Sequence, residues 1–426
     1  MANTTLFQSI KTRLTAADTR NEAGGIAYTL TPKQQLAQLA ATGCLNSTYY
    51  TDAQDQLEQV LELAENLDAE FIAKTAVYAR QKGFMKDMPA LLLAVLAQKD
   101  VNMLARVFDQ VADNGKLLRN FAQIIRSGAV GRKSFGNRPK KLMQTWLLTA
   151  TEKQLLNAAI GNAPSLADVV KMVAEKLRDQ TAIRRARVLP YQLLTAYQAT
   201  SEKMPFEIRE ALQDAMETAV QNVPAIRGKV VVCPDVSGSM HSSATGYRGS
   251  ATSKTRCIDI AALVSAAMLR TNPKARVIPF ERITVNVQLN PRDSVMTNAQ
   301  KLANIGGGGT ACSAPLALLN REKADVDLVV IVSDNESWAD CGPHWSGKTG
   351  LMKEWDILKQ RCPEAKLVCL DIQPYTTAQA QNRHDILNIG GFSDQVFTLI
   401  GSFAEQGMGA DFWVEEIEKT ELAAVN

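Results

Sequence analysis

The chain of 426 residues has none of the long apolar runs that mark membrane proteins. Its longest runs, such as Pro89–Ala97 and Ile258–Leu269, fall short of the ~20 residues that a membrane-spanning helix needs. The first residues, MANTTLFQSIKTRL, lack the apolar segment of a secretory signal. We therefore expect a cytoplasmic protein without a membrane partner.

Cysteine and histidine are scarce and scattered, which argues against a disulfide framework and against a zinc site. The seven cysteines are an odd number without a C-x-x-C pair, and the three histidines stand far from any pair of cysteines. We expect these thiols to be reduced, as in an intracellular protein.

Basic and acidic residues are nearly equal in number over the whole chain, but they are unevenly distributed along it. The formal net charge is +3, yet residues 1–228 carry 28 basic and 22 acidic residues, against 19 and 22 in residues 229–426. The first part is therefore basic and the second acidic. With 46% hydrophobic and 21% charged residues the chain is globular, and its length suggests two or three domains.

The basic character is concentrated in residues 114–151, a stretch of 38 residues without a single Asp or Glu. One interpretation is a solvated helix face, but such a face normally carries both signs. The other is a surface whose positive potential attracts a polyanion such as a nucleic acid. The candidate contacts are Lys116, Arg119, Arg126, Arg132, Lys133, Arg138, Lys140 and Lys141.

The spacing of apolar residues predicts two regions of different architecture. Before residue 228 apolar residues recur at three and four positions, which predicts successive helices and a bundle or a HEAT-like or armadillo-like solenoid. The predicted helices are 56–65, 70–81, 89–98, 101–112, 115–126 and 166–177.

From residue 229 onward short Val- and Ile-rich strands alternate with helices, which predicts a mostly parallel, Rossmann-like sheet. The predicted strands are 229–233, 275–280, 283–289, 327–333, 366–372 and 395–400. We place the boundary near residue 225, giving a helical domain over 1–225 and an α/β domain over 226–426.

A candidate metal loop follows the first strand of the α/β region. Asp235, Ser237 and Ser239 form a D-x-S-x-S pattern at the carboxyl end of that strand, where parallel sheets bind their ligands. A carboxylate and two hydroxyls suit a hard cation with octahedral oxygen ligands, above all Mg²⁺. The loops around Gly306–Thr310 and Ser333–Glu336 supply further oxygen atoms.

This pattern resembles a von Willebrand factor A domain with its metal-ion-dependent adhesion site. Thr310 and Asp334 match the Thr and Asp that complete the family's ligand set. Three interpretations are open: loop hydroxyls that only satisfy backbone groups, a structural metal, or a metal with an open position for an acidic group of a partner.

Enzyme motifs are missing around these loops, so we expect a protein that is not an enzyme. An aspartyl-phosphate phosphatase needs a second carboxylate where this chain has Ser237. No Gly-Lys-Ser/Thr follows the glycines at 306–309, and no G-x-S-x-G surrounds Ser237 or Ser239.

Features of both regions resemble the TROVE family, the Ro-type RNA-binding proteins. The segment from Asn21 to Tyr28, the leucine-rich residues 36–50 ending in Thr-Tyr-Tyr, Gly308–Pro315 and Ser333–Glu336 carry the resemblance. It implies a ring or horseshoe of HEAT-like helix pairs closed by the von Willebrand factor A domain.

The resemblance also implies a function. Family members hold small Y-type noncoding RNA on the outer surface of the ring and single-stranded ends of misfolded RNA in its hole. The expectation is a monomer engaged in noncoding-RNA quality control or degradation, with an exoribonuclease such as polynucleotide phosphorylase tethered through RNA. The segment Ile125–Lys141 corresponds to the family's basic helix–loop–helix region, and Phe135 could stack on a base or belong to the core.

One departure limits the analogy. Family members often carry a His-Pro pair where this chain has Ala174 and Glu175, so no RNA contact is transferred from that His. Two other functions stay open: a metal-dependent protein–protein interaction module on a helical scaffold, and a von Willebrand-type partner of an AAA+ ATPase.

Overall fold

A computed structural model of the chain describes residues 17–42, 45, 52–149, 177–185, 190–199, 206–244, 255–339, 347–392, 395–406 and 412–423. These residues fall in two compact units that alternate along the chain. The helical unit takes in the described residues from 31 to 149 and from 412 to 423. The α/β unit takes in residues 17–30 and the described residues from 177 to 406.

Seven helices in the described part of the helical unit pack in a regular order. Contacts join α1, α3, α5 and α7 into one row and α2, α4 and α6 into a second. Such stacked pairs are expected of a helical-repeat array; the HEAT-like assignment itself stays a prediction. The helices are α1 Pro32–Thr42, α2 Ala53–Asn66, α3 Ala69–Gln81, α4 Asp87–Lys99, α5 Val101–Val111, α6 Gly115–Ser127 and α7 Asn137–Thr149.

The core of this unit is built around α4, which is apolar on every side. Its residues from Met88 to Ala97 are all buried, as expected for a helix that is hydrophobic all round. Short polar side chains begin its neighbours: Asp68, Asp100 and Asn114 each accept backbone N–H groups of the helix that follows.

The α/β unit contains a five-stranded parallel sheet in the order β4-β3-β5-β6-β8. A second sheet, β1-β2-β7, is antiparallel. The strands are β1 Thr19–Arg20, β2 Ile26–Thr29, β3 Val230–Pro234, β4 Arg276–Val277, β5 Leu328–Ser333, β6 Lys366–Asp371, β7 Thr377–Ala378 and β8 Ile386–Gly390.

The chain leaves β3 towards β4 on one side and returns to β5 on the other. The carboxyl ends of β3 and β5 are therefore the point where the strand order reverses, which is where open α/β sheets bind ligands.

Both faces of the parallel sheet are covered, because every residue of β3 and β5 is buried while successive side chains point to opposite faces. The helices of this unit are α8 Gln180–Arg185, α9 Pro190–Ala199, α10 Phe206–Ala219, α11 Cys257–Thr271, α12 Val295–Ala303, α13 Ala314–Arg321, α14 Gly350–Arg361 and α15 Gln395–Gln406. Helix α11 packs on β3 and β5, and Trp355 of α14 joins Val231 and Ile331 in the main apolar cluster.

After the α/β unit the chain returns to the helical unit. Helix α16, Phe412–Glu418, packs against α1 and α3, and the Glu418 carboxylate pairs with the Lys33 ammonium. Both compact units are thus built from separated stretches of sequence. The division into 1–225 and 226–426 stays a prediction about sequence domains, whereas the compact units follow a different course along the chain.

The predicted class, a helical region joined to an α/β domain with a parallel sheet, is confirmed. Five predicted helices and the strands near 230, 276, 328 and 366 are present, while the predicted helix 166–177 lies almost wholly outside the described residues.

Two predicted strands are wrong. Residues 395–400 begin helix α15, because Val396, Phe397, Leu399 and Ile400 are buried at helical spacing. Residues 283–289 form no strand: only a single bridge joins Phe280 to Thr284, and the alternating side chains of this segment are exposed or half-buried.

Of the residues described, none belongs to a helix that is both long enough and apolar enough to cross a bilayer.

Candidate metal centre and basic surface

The D-x-S-x-S loop lies at the point where the strand order reverses. The Asp235 N–H donates to the Val332 carbonyl at 2.8 Å, so the loop continues the pairing of β3 with β5 before it turns away. The Asp235 carboxylate then accepts the Ser237 N–H at 2.8 Å, and the Ser237 and Ser239 hydroxyl oxygens lie 3.4 Å apart. All three side chains are buried.

The two later loops join this one, as predicted from the sequence. The Gly238 N–H donates to the Gly308 carbonyl at 3.0 Å, which brings the glycine-rich loop against the first loop. The Thr310 carbonyl accepts the Trp338 N–H at 3.2 Å and the Ala339 N–H at 2.9 Å, which ties that loop to the segment after β5. Thr310 and Asp334 are each 1% exposed.

The two aspartates of the candidate centre are buried close to each other. Burial, and after it the charge of Asp334, raises the pKa of Asp235 to about 7. Burial also raises the pKa of Asp334, against a hydrogen bond with Ser239 that lowers it. Two buried carboxylates without a cation are unfavourable, because each charge loses its hydration and meets the other.

The donor set fits a hard cation. The Oδ2 atom of Asp334 is buried without a hydrogen-bond partner, although a buried carboxylate oxygen normally has one. Within the described part of the chain, no three His, Cys, Asp or Glu side chains come together as a metal cluster, so the hydroxyls are needed to complete the set. Magnesium accepts such oxygen ligands, whereas zinc favours nitrogen and sulfur.

The structure adds carboxylates that we did not assign from the sequence. Glu336 and Asp371 are buried next to the candidate centre. Burial, followed by the charge of Glu22, raises the pKa of Glu336 to about 9, and burial together with the charge of Glu336 raises the pKa of Asp371. Among the described residues, Ser333 also belongs to this network, since its hydroxyl donates to Asp235 Oδ2 at 2.6 Å.

An N-terminal hairpin made by β1 and β2 contacts this region. The Ala23 N–H donates to Glu336 Oε2 at 2.8 Å, and β2 pairs with β7. The hairpin and Glu336 are about three hundred residues apart in sequence. No local pattern of residues could have indicated this contact.

An exposed patch lies at the edge of the candidate centre. The Arg282 guanidinium stacks 5.4 Å from the Trp338 ring centre, and Ile283 is 67% exposed. Trp338 lies against Gly309, where a Cβ atom would come within 2.4 Å of the indole ring. The Glu281 carboxylate accepts the Gly308 N–H at 2.6 Å and so holds the turn that carries Arg282 and Ile283 to the glycine-rich loop.

The eight predicted basic residues lie on α6, on α7 and on the loop between these helices. Helix α6 buries Leu117, Leu118, Phe121 and Ile125 and turns its other face to solvent. Seven of the eight side chains are exposed, and Arg132 is half-buried. The side chains without an ion pair or hydrogen bond among the described residues are Lys116, Arg119, Lys133, Lys140 and Lys141.

Arg132 has a different role from the other seven. Its guanidinium donates to the carbonyls of Ser134 at 2.9 Å, Phe135 at 2.8 Å and Ala97. These bonds fold the loop onto itself and fasten it to α4. The Arg132 guanidinium therefore stabilises the conformation of the loop, a role that the sequence did not indicate.

Phe135 is half-buried, with the Arg126 guanidinium 5.4 Å from its ring centre. One face of the ring is thus already covered by a cation. Of the other positions considered in the sequence, Ala174 and Glu175 lie outside the described residues.

Comparisons with known proteins find similarity to Ro-type proteins. A profile of the Ro60 vWA domain matches residues 229–404. The RNA-binding protein RO60 of Deinococcus radiodurans is 27% identical over 252 residues, which cover 57% of this chain and 46% of that protein. By these two matches the chain is similar to Ro-type (TROVE) proteins.

Two further comparisons give lower sequence identities. The RNA-binding protein RO60 of Caenorhabditis elegans is 24% identical over 250 residues, covering 55% of this chain and 36% of that protein. The match therefore spans less than half the length of either relative. The crystal structure of the Deinococcus radiodurans RO (RSR) protein aligns with a TM-score of 0.47 and 22% identity, covering 83% of this chain and 77% of that one.

Proposed function

We propose that this chain binds RNA through the basic surface formed by α6, α7 and the loop between them. The observation that carries the proposal is the exposure of seven cations in a segment without acidic residues, five of them unpaired among the described residues. Cations that lack carboxylate partners are free to neutralise phosphates. Two Ro-family relatives named RNA-binding proteins support the same conclusion.

The ligands we propose are those of Ro-type proteins: small Y-type noncoding RNA and the single-stranded ends of misfolded RNA. The role is non-catalytic, in noncoding-RNA quality control or degradation, with an exoribonuclease such as polynucleotide phosphorylase brought in through the bound RNA. The proposal also includes a ring of helix pairs, a monomeric state and a cytoplasmic location.

For the α/β unit we propose a Mg²⁺ ion held by Asp235, Ser237, Ser239, Thr310 and Asp334. The buried, unpartnered Oδ2 of Asp334 supports this assignment. When bound, the ion would supply a positive charge that offsets the two aspartates and a coordination position for an oxygen from outside the chain.

The test of RNA binding is a salt titration with a matched charge control. The triple variant Lys133→Glu, Lys140→Glu and Lys141→Glu should lower affinity for a small structured RNA by on the order of a hundredfold and reduce its salt dependence. The control is Lys82→Glu, Lys274→Glu and Lys353→Glu, which changes net charge equally at exposed lysines outside the segment. Equal losses in both variants, or none in the first, would contradict the assignment.

A second candidate function, a metal-dependent protein-interaction module, is favoured by the exposed patch of Arg282, Ile283 and Trp338 beside the candidate centre. An apolar rim around an open coordination position suits a protein segment that carries a carboxylate. The variant Asp235→Ala separates the two functions, since it should leave RNA affinity unchanged and abolish any Mg²⁺-dependent protein binding.

A further inference from the structure

A cavity of about 640 Å³ opens in the helical unit, walled by α2, α4 and the start of the loop after α6. Its volume is in the range of sites that hold small ligands. Ala64, Val95 and Val130 supply buried apolar walls, and Glu65 and Gln98 supply polar groups. A site with apolar faces and a few polar groups at its edge suits a flat, polar-edged ligand.

Two of the three polar side chains that line the cavity, those of Glu65 and Gln98, are unpartnered within the described chain. Neither the Glu65 carboxylate nor the Gln98 amide forms a side-chain hydrogen bond or ion pair there, and both residues are exposed. The neighbouring Lys99 is already engaged, since its ammonium donates to the Ala64 carbonyl at 3.1 Å and to the Glu65 carbonyl at 2.8 Å. The groups left for a ligand are therefore an amide and a carboxylate.

The cavity adjoins the basic surface. Gly128–Gly131 both line the cavity and begin the basic loop. The Lys133 side chain folds back over Gly128, where a Cβ atom would lie 2.9 Å from Lys133 Cε. Arg132 fastens the same loop to the end of α4. The mouth of the cavity thus lies next to an exposed cation on a fixed segment.

We infer that this cavity takes one unpaired nucleobase of the RNA, with Gln98 and Glu65 bonding to the base and Lys133 contacting an adjacent phosphate. The inference rests on the proposed function. A phosphate inside the cavity would meet the Glu65 carboxylate, while the Lys99 ammonium is already bonded to two backbone carbonyls, so an occupant that is neutral there and carries its charge outside fits best. A nucleotide divides in that way, because its base is neutral and its phosphate anionic.

The chemistry of the walls sets a preference among bases. Proteins that read single-stranded RNA bind splayed bases between apolar surfaces and bond to their edges. A carboxylate accepts hydrogen bonds from an exocyclic amine, which adenine, cytosine and guanine have and uracil lacks. We expect oligoadenylate to bind more tightly than oligouridylate of the same length.

The experiment measures binding of the full chain to an oligoadenylate strand and to an abasic ribose-phosphate strand of equal length, at one salt concentration. Ala129→Phe fills the cavity and should lower affinity for oligoadenylate roughly tenfold, to that of the abasic strand. Ala129→Ser is its control and should bind like wild type. Affinity for the abasic strand should be the same in all three proteins.

A second variant guards against misfolding of the first. Glu65→Ala with Gln98→Ala changes only exposed helix positions, and Glu62→Ala is its control on α2. The double variant should lose the preference for oligoadenylate over oligouridylate, while the control keeps it.

The outcomes are distinguishable. If wild type prefers the base-bearing strand and both cavity variants do as well, the cavity inference is wrong and the basic surface stands. If the cavity variants lose affinity for the oligoadenylate strand and for the abasic strand equally, the cavity inference is also wrong, because the substitutions then do not act on binding of the base. If wild type binds neither strand, the proposed function fails, and this inference fails with it.

Discussion

In the basic surface seven of the eight candidate side chains are exposed to solvent, all eight lie on one continuous stretch of 26 residues, Lys116 to Lys141, and most have no partner among the described residues. In the candidate metal centre they are buried, come from three distant loops and are joined by hydrogen bonds. Exposed cations act on a polyanion nearly independently, whereas buried groups that share partners act as one unit. The two regions should therefore answer substitution in different ways.

The largest effect should come from the metal centre. We expect Mg²⁺ at about a hundred times its dissociation constant to raise the free energy of unfolding of wild type by about 2.7 kcal/mol. Either Asp235→Asn or Asp334→Asn should remove this gain, and combining them should add little. Urea denaturation in Mg²⁺ and in EDTA measures the difference; a double variant that loses twice as much would contradict coupling.

The next effect should come from Arg132, the one predicted RNA contact that holds its own loop. Arg132→Ala removes three bonds to backbone carbonyls and should cost about 1–3 kcal/mol of stability. Hydrogen exchange should increase in the loop 128–136. Arg126→Ala, an exposed arginine on α6, is the comparison. If the two variants are equally stable, Arg132 belongs with the solvent-facing cations.

A smaller effect is expected at Glu281, which lies next to the metal loops without being a predicted ligand. Glu281→Ala leaves the Gly308 N–H without its acceptor and should cost about 1 kcal/mol, while weakening Mg²⁺ binding a few-fold. Glu281→Gln keeps an acceptor oxygen and should recover most of both losses. A Gln variant as weak as the Ala variant would mean that charge, and not loop position, is what Glu281 supplies.

The smallest effects should come from single lysines of the basic surface. Lys133→Ala, Lys140→Ala and Lys141→Ala should each lower RNA affinity only about two- to fivefold, multiply when combined, and change stability by less than about 0.5 kcal/mol. Electrophoretic or anisotropy titrations of the singles, doubles and triple measure this. One lysine that accounts for the whole loss would show that the surface is a specific pocket.

The sequence predicted the two regions unequally well. The ligand pattern from Asp235 to Asp334 was legible because Asp235 and Asp334 directly follow β3 and β5, and the loops do meet at one sheet edge. Glu336, Glu281 and the N-terminal hairpin were missed, since their contacts join segments far apart in the chain. Whether the site holds a metal stays a prediction.

In the helical unit the sequence identified which residues are charged and exposed, but not which of them support the loop. Lys133 and Arg132 are neighbours of the same sign, yet one faces solvent and the other bonds to three carbonyls. In the α/β unit, the helical spacing of Val396, Phe397 and Ile400 was overlooked when residues 395–400 were predicted to be a strand, and these residues belong to a helix.

The return of the chain to the helical unit at α16 has a consequence for biosynthesis. Helix α16 packs on α1 and α3, so these two helices wait for a segment that is translated only after the described residues of the α/β unit before their surfaces are covered. The intervening residues of the α/β unit can fold during that interval. Completion of the helical unit is thereby delayed until these residues have been translated.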